Sequence, residues 1–129
     1  MGKQKVFTVR AEIAANLTIE NIDDIMASAL EGGINYWCSE AEVVEEKRCA
    51  DWGHEQIARG GALILHDAEG DDKWELNLEK FLNGFKLWLE NGGDQYSAVE
   101  NGEVDCCKID GGCADEIVQY AIFGEVVFG

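Results

Sequence analysis

The residues best equipped for chemistry in this sequence are five cysteines, two histidines and an unusually large stock of carboxylates. Cys106, Cys107 and Cys113 lie close together. Zinc sites space their paired cysteines by two to four residues and need four ligands; here two thiols are adjacent and a fourth ligand is missing nearby. The plainer reading is thiols in a loop, with no metal. Cys38 and Cys49 read as small apolar residues. Asp51 stands three residues before His54, so on a helical turn its carboxylate could orient the imidazole. Catalysis would still need an activated Ser or Cys within reach, and no such pairing is visible. His66, beside Asp67, falls at a strand end. The pairs Asp23-Asp24, Glu45-Glu46, Asp71-Asp72 and Asp115-Glu116 are what an acidic composition produces without any acid–base role. Glu69, Asp71 and Asp72 do not fit the twelve-residue calcium loop. The Gly-Gly pairs are not followed by Gly-Lys-Ser/Thr and read as helix stops, so no cofactor is expected.

The aromatic residues offer a different chemistry. Tyr36 and Trp37 follow a glycine pair, and Trp52, Trp74, Trp88 and Tyr96 add to the stock. Such residues form core, or line a surface for a partner or a stacked base. A nucleotide pocket built on them would use Tyr36, Trp37 and Trp74 as walls, with Arg59 and Lys73 for the phosphates.

The elements that must position these groups follow from periodicity. Val6 to Ile13 alternates and predicts a strand. Thr18 is an N-cap, with Glu20 and Asp23 in the first turn, where the helix dipole favours them. Ile19, Ile22, Ile25, Met26 and Leu30 form one helical face, stopped by Gly32-Gly33. Ile34 to Cys38 and Ala41 to Lys47 read as two strands around Ser39-Glu40, and Asp51 to Arg59 as a short helix ending at Gly60-Gly61. Ala62 to Asp67 and Lys73 to Asn77 form a hairpin across the loop Ala68 to Asp72. Phe81, Leu82, Phe85, Trp88 and Leu89 mark a helix over Leu78 to Asn91, capped by Asn77. Its Gly84 costs about 1 kcal/mol against Ala, which points to a close approach by another element. Asp94 to Gly112 reads as loop or weak strand. A last helix covers Cys113 to Phe123, with Ile117, Val118, Ala121 and Ile122 inward; Gly124 ends it, and Glu125 to Phe128 is a strand or docked tail. The irregular order predicts one α+β domain over residues 1–129: an antiparallel sheet of four or five strands packed with three or four helices.

Length and composition agree. The chain has 129 residues, 47% of them hydrophobic, enough for one core. No apolar run approaches the roughly 20 residues of a membrane span, and the N-terminus lacks an apolar signal region. With an odd number of cysteines, this predicts a cytoplasmic protein. The 26 acidic and 10 basic residues give a formal net charge of −16. That disfavours direct contact with nucleic acid or an anionic membrane, whose phosphates call for Lys and Arg, and favours solubility or a basic partner.

Three stretches carry a family resemblance. They are Ala29 to Trp37 (ALEGGINYW), Ile57 to Gly61 (IARGG), and Asp115 to Gly129 (DEIVQYAIFGEVVFG). Together they resemble a group of short proteins from phages, prophages and mobile elements of Gram-positive bacteria. The resemblance implies a small accessory gene, of the sort that encodes inhibitors of host defence or scavengers of its signals; no site residue carries over. Charge and resemblance together predict an interaction protein rather than an enzyme. In this reading it mimics DNA charge in the basic channel of a CRISPR effector or another defence nuclease, through Glu40, Glu42, Glu45, Glu46, Glu69, Asp71 and Asp72. The alternative is a binder that sequesters a nucleotide signal; an enzyme using His54 or the cysteines is a third.

Overall fold

The chain divides between helices that bury apolar stripes and a small sheet that buries one face. The computed structural model describes residues 5–129. Its first helix, α1, spans Ile19–Ser28. Thr18 caps it reciprocally with Asn21: the Thr18 hydroxyl accepts from the Asn21 amide at 3.0 Å, and the Asn21 side chain accepts from the Thr18 amide at 2.9 Å. The helix continues as a π-helical turn over Ala29–Gly33. Gly33 allows this junction, because a Cβ there would meet the Gly111 carbonyl oxygen at 2.6 Å. The end of α1 thus rests on the start of α3, which spans Gly111–Phe123. Asp110 caps α3, accepting from the Cys113 amide at 2.8 Å, so the helix begins two residues before the expected Cys113.

The main sheet contains β1 (Cys38–Val43), β2 (Ala62–Asp67) and β3 (Lys73–Asn77), antiparallel in that order. The expected hairpin forms with the expected boundaries. Its loop is held by the Asp67 carboxylate, which accepts from the Glu69 amide at 3.1 Å. Period-two alternation sends Ala41, Leu63, Leu65, Trp74 and Leu76 inward, while Glu40, Glu42, Ile64, His66, Lys73 and Glu75 share the outer face. Helix α2, Leu78–Glu90, follows β3 directly, with Asn77 accepting from the Lys80 amide at 2.9 Å. At Gly84 an added Cβ would lie 2.6 Å from both the Cβ and the amide nitrogen of Ala121, so this glycine lets α2 and α3 approach closely. A second, two-stranded sheet pairs β4 (Val99–Glu100) with β5 (Glu103–Val104). One continuous core joins the helices and the inner sheet face, with Met26, Leu65, Phe81, Trp88 and Ile117 fully buried.

The fold is α+β as expected, with four corrections to its elements. Among the described residues the strands number five, but in two sheets rather than one. Val6 to Ile13 is not a strand: the segment pairs with nothing among the described residues, and an isolated strand has no ladder to stabilise it. Only Asn16 makes a bridge, beside Glu103. Ile34 to Trp37 is a turn leading into β1 that extends the helical spacing, since Ile34, Trp37 and Cys38 are buried at intervals of three and four. The amides of Trp37 and Cys38 both donate to the Ile34 carbonyl. Ser39-Glu40 is then no connection; it lies within β1, where the register shifts between Cys38 and Glu40. The expected helix over Asp51 to Arg59 is two single 3-10 turns, Gly53–Glu55 and Ile57–Arg59. The buried Gln56 organises them, donating to the Ala50 and Trp52 carbonyls at 2.7 and 2.9 Å and accepting from the Cys49 amide at 3.0 Å. No helix is long and apolar enough to cross a membrane among the described residues.

Candidate functional site

Strand β1 and the two ends of the sheet collect the acidic residues. Glu40 and Glu42, two positions apart, project from the same outer face and are exposed. Beyond the Val43 end, Glu45 and Glu46 occupy a 3-10 turn, Glu45–Lys47. At the opposite end lie Glu69, Asp71 and Asp72 in the β2–β3 loop, beside the Cys38↔Asp67 pair. Two of the seven carboxylates therefore share the outer face of β1, and the other five lie in turns at its two ends, separated by about 17 Å of strand. Cations lie among them. The Arg48 guanidinium forks onto Glu45 at 2.8 and 3.0 Å and holds that carboxyl below the usual carboxylate range. His66 Nε2 lies 2.9 Å from Glu42 Oε1, an ion pair only when the imidazole is protonated. Lys73 stands opposite His66 on β3, and Lys47 reaches Glu75 at 3.4 Å.

The aromatic residues are arranged for another purpose. Trp37 is 2% exposed and stacks on Phe128 of the C-terminal tail, with centroids 5.2 Å apart and planes 5° from parallel. Trp74 and Phe123 meet its edges at 6.0 and 5.9 Å. The Asp115 carboxylate beneath this cluster is 7% exposed. It accepts from the Tyr36 hydroxyl at 2.5 Å, from Trp37 Nε1 at 2.7 Å and from Gln119 Nε2 at 2.9 Å. Three donors satisfy the buried charge that would otherwise be costly. Gln119 also accepts from the amides of Val127 and Phe128 at 2.7 and 2.8 Å and donates to the Phe128 carbonyl at 3.1 Å. Its side chain thus pairs with the tail much as a neighbouring strand would. Burial first, then the hydrogen bond to Asp115, pushes the Tyr36 phenol up from 10.0 to about 12.

Of the residues considered for a nucleotide, Trp37 and Trp74 meet, Tyr36 shares Asp115 with Trp37, and Phe128 already occupies a stacking face of Trp37. Arg59 is committed elsewhere, forking onto Asp23 at 2.9 and 3.1 Å while donating to the Glu55 carbonyl. Lys73 stands on the outer sheet face. The cleft beside Tyr36, about 380 Å³, is walled by Asp110, Asp115 and Glu116 with no Lys or Arg in its lining. It would repel an anion.

The thiols do not converge. Cys113 is buried in α3, where burial raises its thiol to about 11. Cys106 is half-buried against Asn21, and Cys107 is exposed. No group of three or more metal-binding side chains occurs among the described residues. His54 is partly exposed in the Gly53–Glu55 turn.

Sequence reasoning singled out Tyr36 and Trp37 but missed their partners Asp115, Gln119, Phe123 and Phe128. One signal was present: Asp115 and Gln119 are spaced by four, so both project from one side of α3. Comparison with known proteins adds no further residue. No protein-family model matches the chain, and no curated protein or solved structure matches it.

Proposed function

We propose that this protein is an acidic, non-enzymatic interaction protein that lays the outer face of its sheet on a basic surface of a nucleic-acid-binding protein and displaces the nucleic acid. The supporting observation is the set of carboxylates on and around β1. Glu40 and Glu42 project from a strand at the sheet edge, and the acidic turns with Glu45, Glu46 and with Glu69, Asp71 and Asp72 prolong it in both directions. Carboxylates displayed together attract the Lys and Arg side chains that line a nucleic-acid channel, and the net charge of −16 steers the encounter over a longer range. The resemblance to short proteins of phages and mobile elements favours a host defence nuclease, such as a CRISPR effector in the bacterial cytoplasm, as the class of partner.

The test is competition. Purified protein titrated into guide-loaded CRISPR nucleases is expected to lower target-DNA binding, less so at high salt, because screening weakens exposed charge pairs. The variant combining Glu40→Lys, Glu46→Lys, Glu69→Lys and Asp71→Lys changes only exposed side chains. It is expected to fold, by circular dichroism, and to lose the inhibition. A folded variant that still inhibits fully would sink charge mimicry, as would wild-type protein that displaces DNA from no effector.

A further inference from the structure

Two parts of the molecule are each incomplete alone, and each supplies what the other lacks. The first is the outer edge of β1. In the main sheet β1 pairs only with β2, and no backbone hydrogen bond among the described residues ties Ser39–Val43 to any other element. A hollow of about 500 Å³ lies along this edge, with Leu30, Ile34, Cys38 and Ala41 as its apolar lining and Asn35, Ser39 and Glu40 as its polar lining. On the outer side of the same edge stand Glu40 and Glu42. The opposite edge of the sheet is guarded differently: Lys80 Nζ covers the Glu75 carbonyl of β3 at 2.8 Å, a positive charge of the kind that discourages strand addition.

The second part is the N-terminal arm. Residues 11–17 lie along α2, where Ala15 and Leu17 are half-buried beside Phe85 and Leu89. The stretch before them, Lys5 to Arg10, alternates like a strand yet pairs with nothing among the described residues. Phe7 and Val9 share one side and are 78% and 88% exposed. Thr8 and Arg10 share the other side, with Val6 the single apolar residue there. The arm is also basic within an acidic chain, carrying three of the ten Lys and Arg residues. Lys3, Lys5 and Arg10 are its only charges through position 10, and without these three the net charge of −16 becomes −19. The arm leaves from the β4–β5 hairpin, where the Asn16 amide donates to the Gly102 carbonyl at 2.7 Å.

We infer that Lys5–Arg10 of one copy adds as a strand to the β1 edge of a second copy, in a mutual exchange that closes a dimer. Alternation then sends Phe7 and Val9 into the hollow against Leu30, Ile34 and Ala41. The same register puts Arg10 on the outer face with Glu40 and Glu42. The ladder satisfies the edge's free backbone groups, the hollow receives the arm's apolar side chains, and a cationic segment meets an acidic body. A two-fold exchange uses both arms and both β1 edges, so the assembly closes at two copies.

Sedimentation velocity on the full chain across a range of concentrations tests this at low and high salt. The mass is expected to rise with concentration from the monomer's 14.2 kDa toward twice that value, with weaker association in high salt. Phe7→Asp and Val9→Asp change only exposed positions, so the monomer should remain folded by circular dichroism. Each is expected to weaken dimerisation about tenfold to a hundredfold, the loss expected when a large apolar side chain can no longer be buried. Arg10→Glu should weaken it less, and adding Glu40→Arg with Glu42→Arg to that chain should restore it. A monomer at every concentration overturns the inference. So does a dimer indifferent to Phe7→Asp and Val9→Asp. Hydrogen-exchange protection of Val6–Arg10 that does not vary with concentration would place the arm on its own chain and overturn it equally.

Discussion

At the scale of single residues, Asp115 carries more structural consequence than any other carboxylate. It is an ionisable group in the core, and its three donors come from the turn after α1 and from its own helix. Tyr36 reports on that arrangement. Its phenol is protonated while it donates to Asp115, and burial together with the neighbouring carboxylate raises its pKa from 10.0 to about 12. The native state therefore holds this proton more tightly than the unfolded chain does. The associated stability is complete below pH 10 and is lost as pH rises through about 12. Alkaline titration followed by near-ultraviolet absorbance is expected to show one late-ionising phenol that is absent in Tyr36→Phe. In Asp115→Asn the same phenol should ionise earlier. A titration of Tyr36→Phe that retains the late step would assign it to another residue and remove this account of the site. The tail depends on the same residues, since Gln119 links Asp115 to the backbone of Val127 and Phe128.

At the scale of elements, the contact of α2 with α3 is the most exacting. Gly84 faces Ala121 so closely that a Cβ would also meet the Ala121 Cα at 2.7 Å. Two effects oppose one another in Gly84→Ala. Helix propensity favours Ala by about 1 kcal/mol, whereas overpacking costs about 1–3 kcal/mol. Because backbone atoms of Ala121 are among those met, the helices must separate for relief, and overpacking wins. Chemical denaturation is expected to show Gly84→Ala destabilised despite its better propensity. Adding Ala121→Gly should recover part of the loss, because it removes the Cβ clash but leaves the backbone contacts. An unchanged or more stable Gly84→Ala would mean that the helices can slide apart at no cost. Short elements were harder to read from sequence. Asn101 and Gly102 both have positive φ, 54° and 80°, and join β4 to β5; Asn-Gly is a strong two-residue hairpin signal, and it lay inside a stretch read as loop or weak strand.

At the scale of the whole molecule, charge dominates. A net −16 on 129 residues makes the folded chain repel itself, and the ion pairs present are few and mostly exposed. Screening relieves repulsion more than it weakens such pairs, which individually contribute little. The thermal midpoint is therefore expected to rise as sodium chloride is added, measured by circular dichroism at fixed pH and protein concentration. A midpoint that falls with salt would show that attractive pairs outweigh the repulsion.

What the sequence determined by itself was local. Strong three-and-four periodicity set α1 and α2, Thr18, Asn77 and Gly124 marked their ends or that of α3, and β2 and β3 were legible because alternation and a glycine-containing turn agree. Charge, too, is a property of composition. The tertiary structure decided everything that depends on which segments meet. Val6 to Ile13 has a strand's pattern, but a strand forms only against a partner, and the described chain offers it none. Ile34 to Trp37 is rich in β-forming residues, yet the end of α1 against Gly111 bends it into a turn that continues the helical spacing. Tyr36 and Trp37 were visible as unusual, but Asp115, Gln119 and Phe128 lie far along the chain. Only folding desolvated the carboxylate and brought its donors together. The acidic residues join both kinds of information: their charges are written in the sequence, and the placing of Glu40 and Glu42 on one sheet face follows from the pairing of β1 with β2.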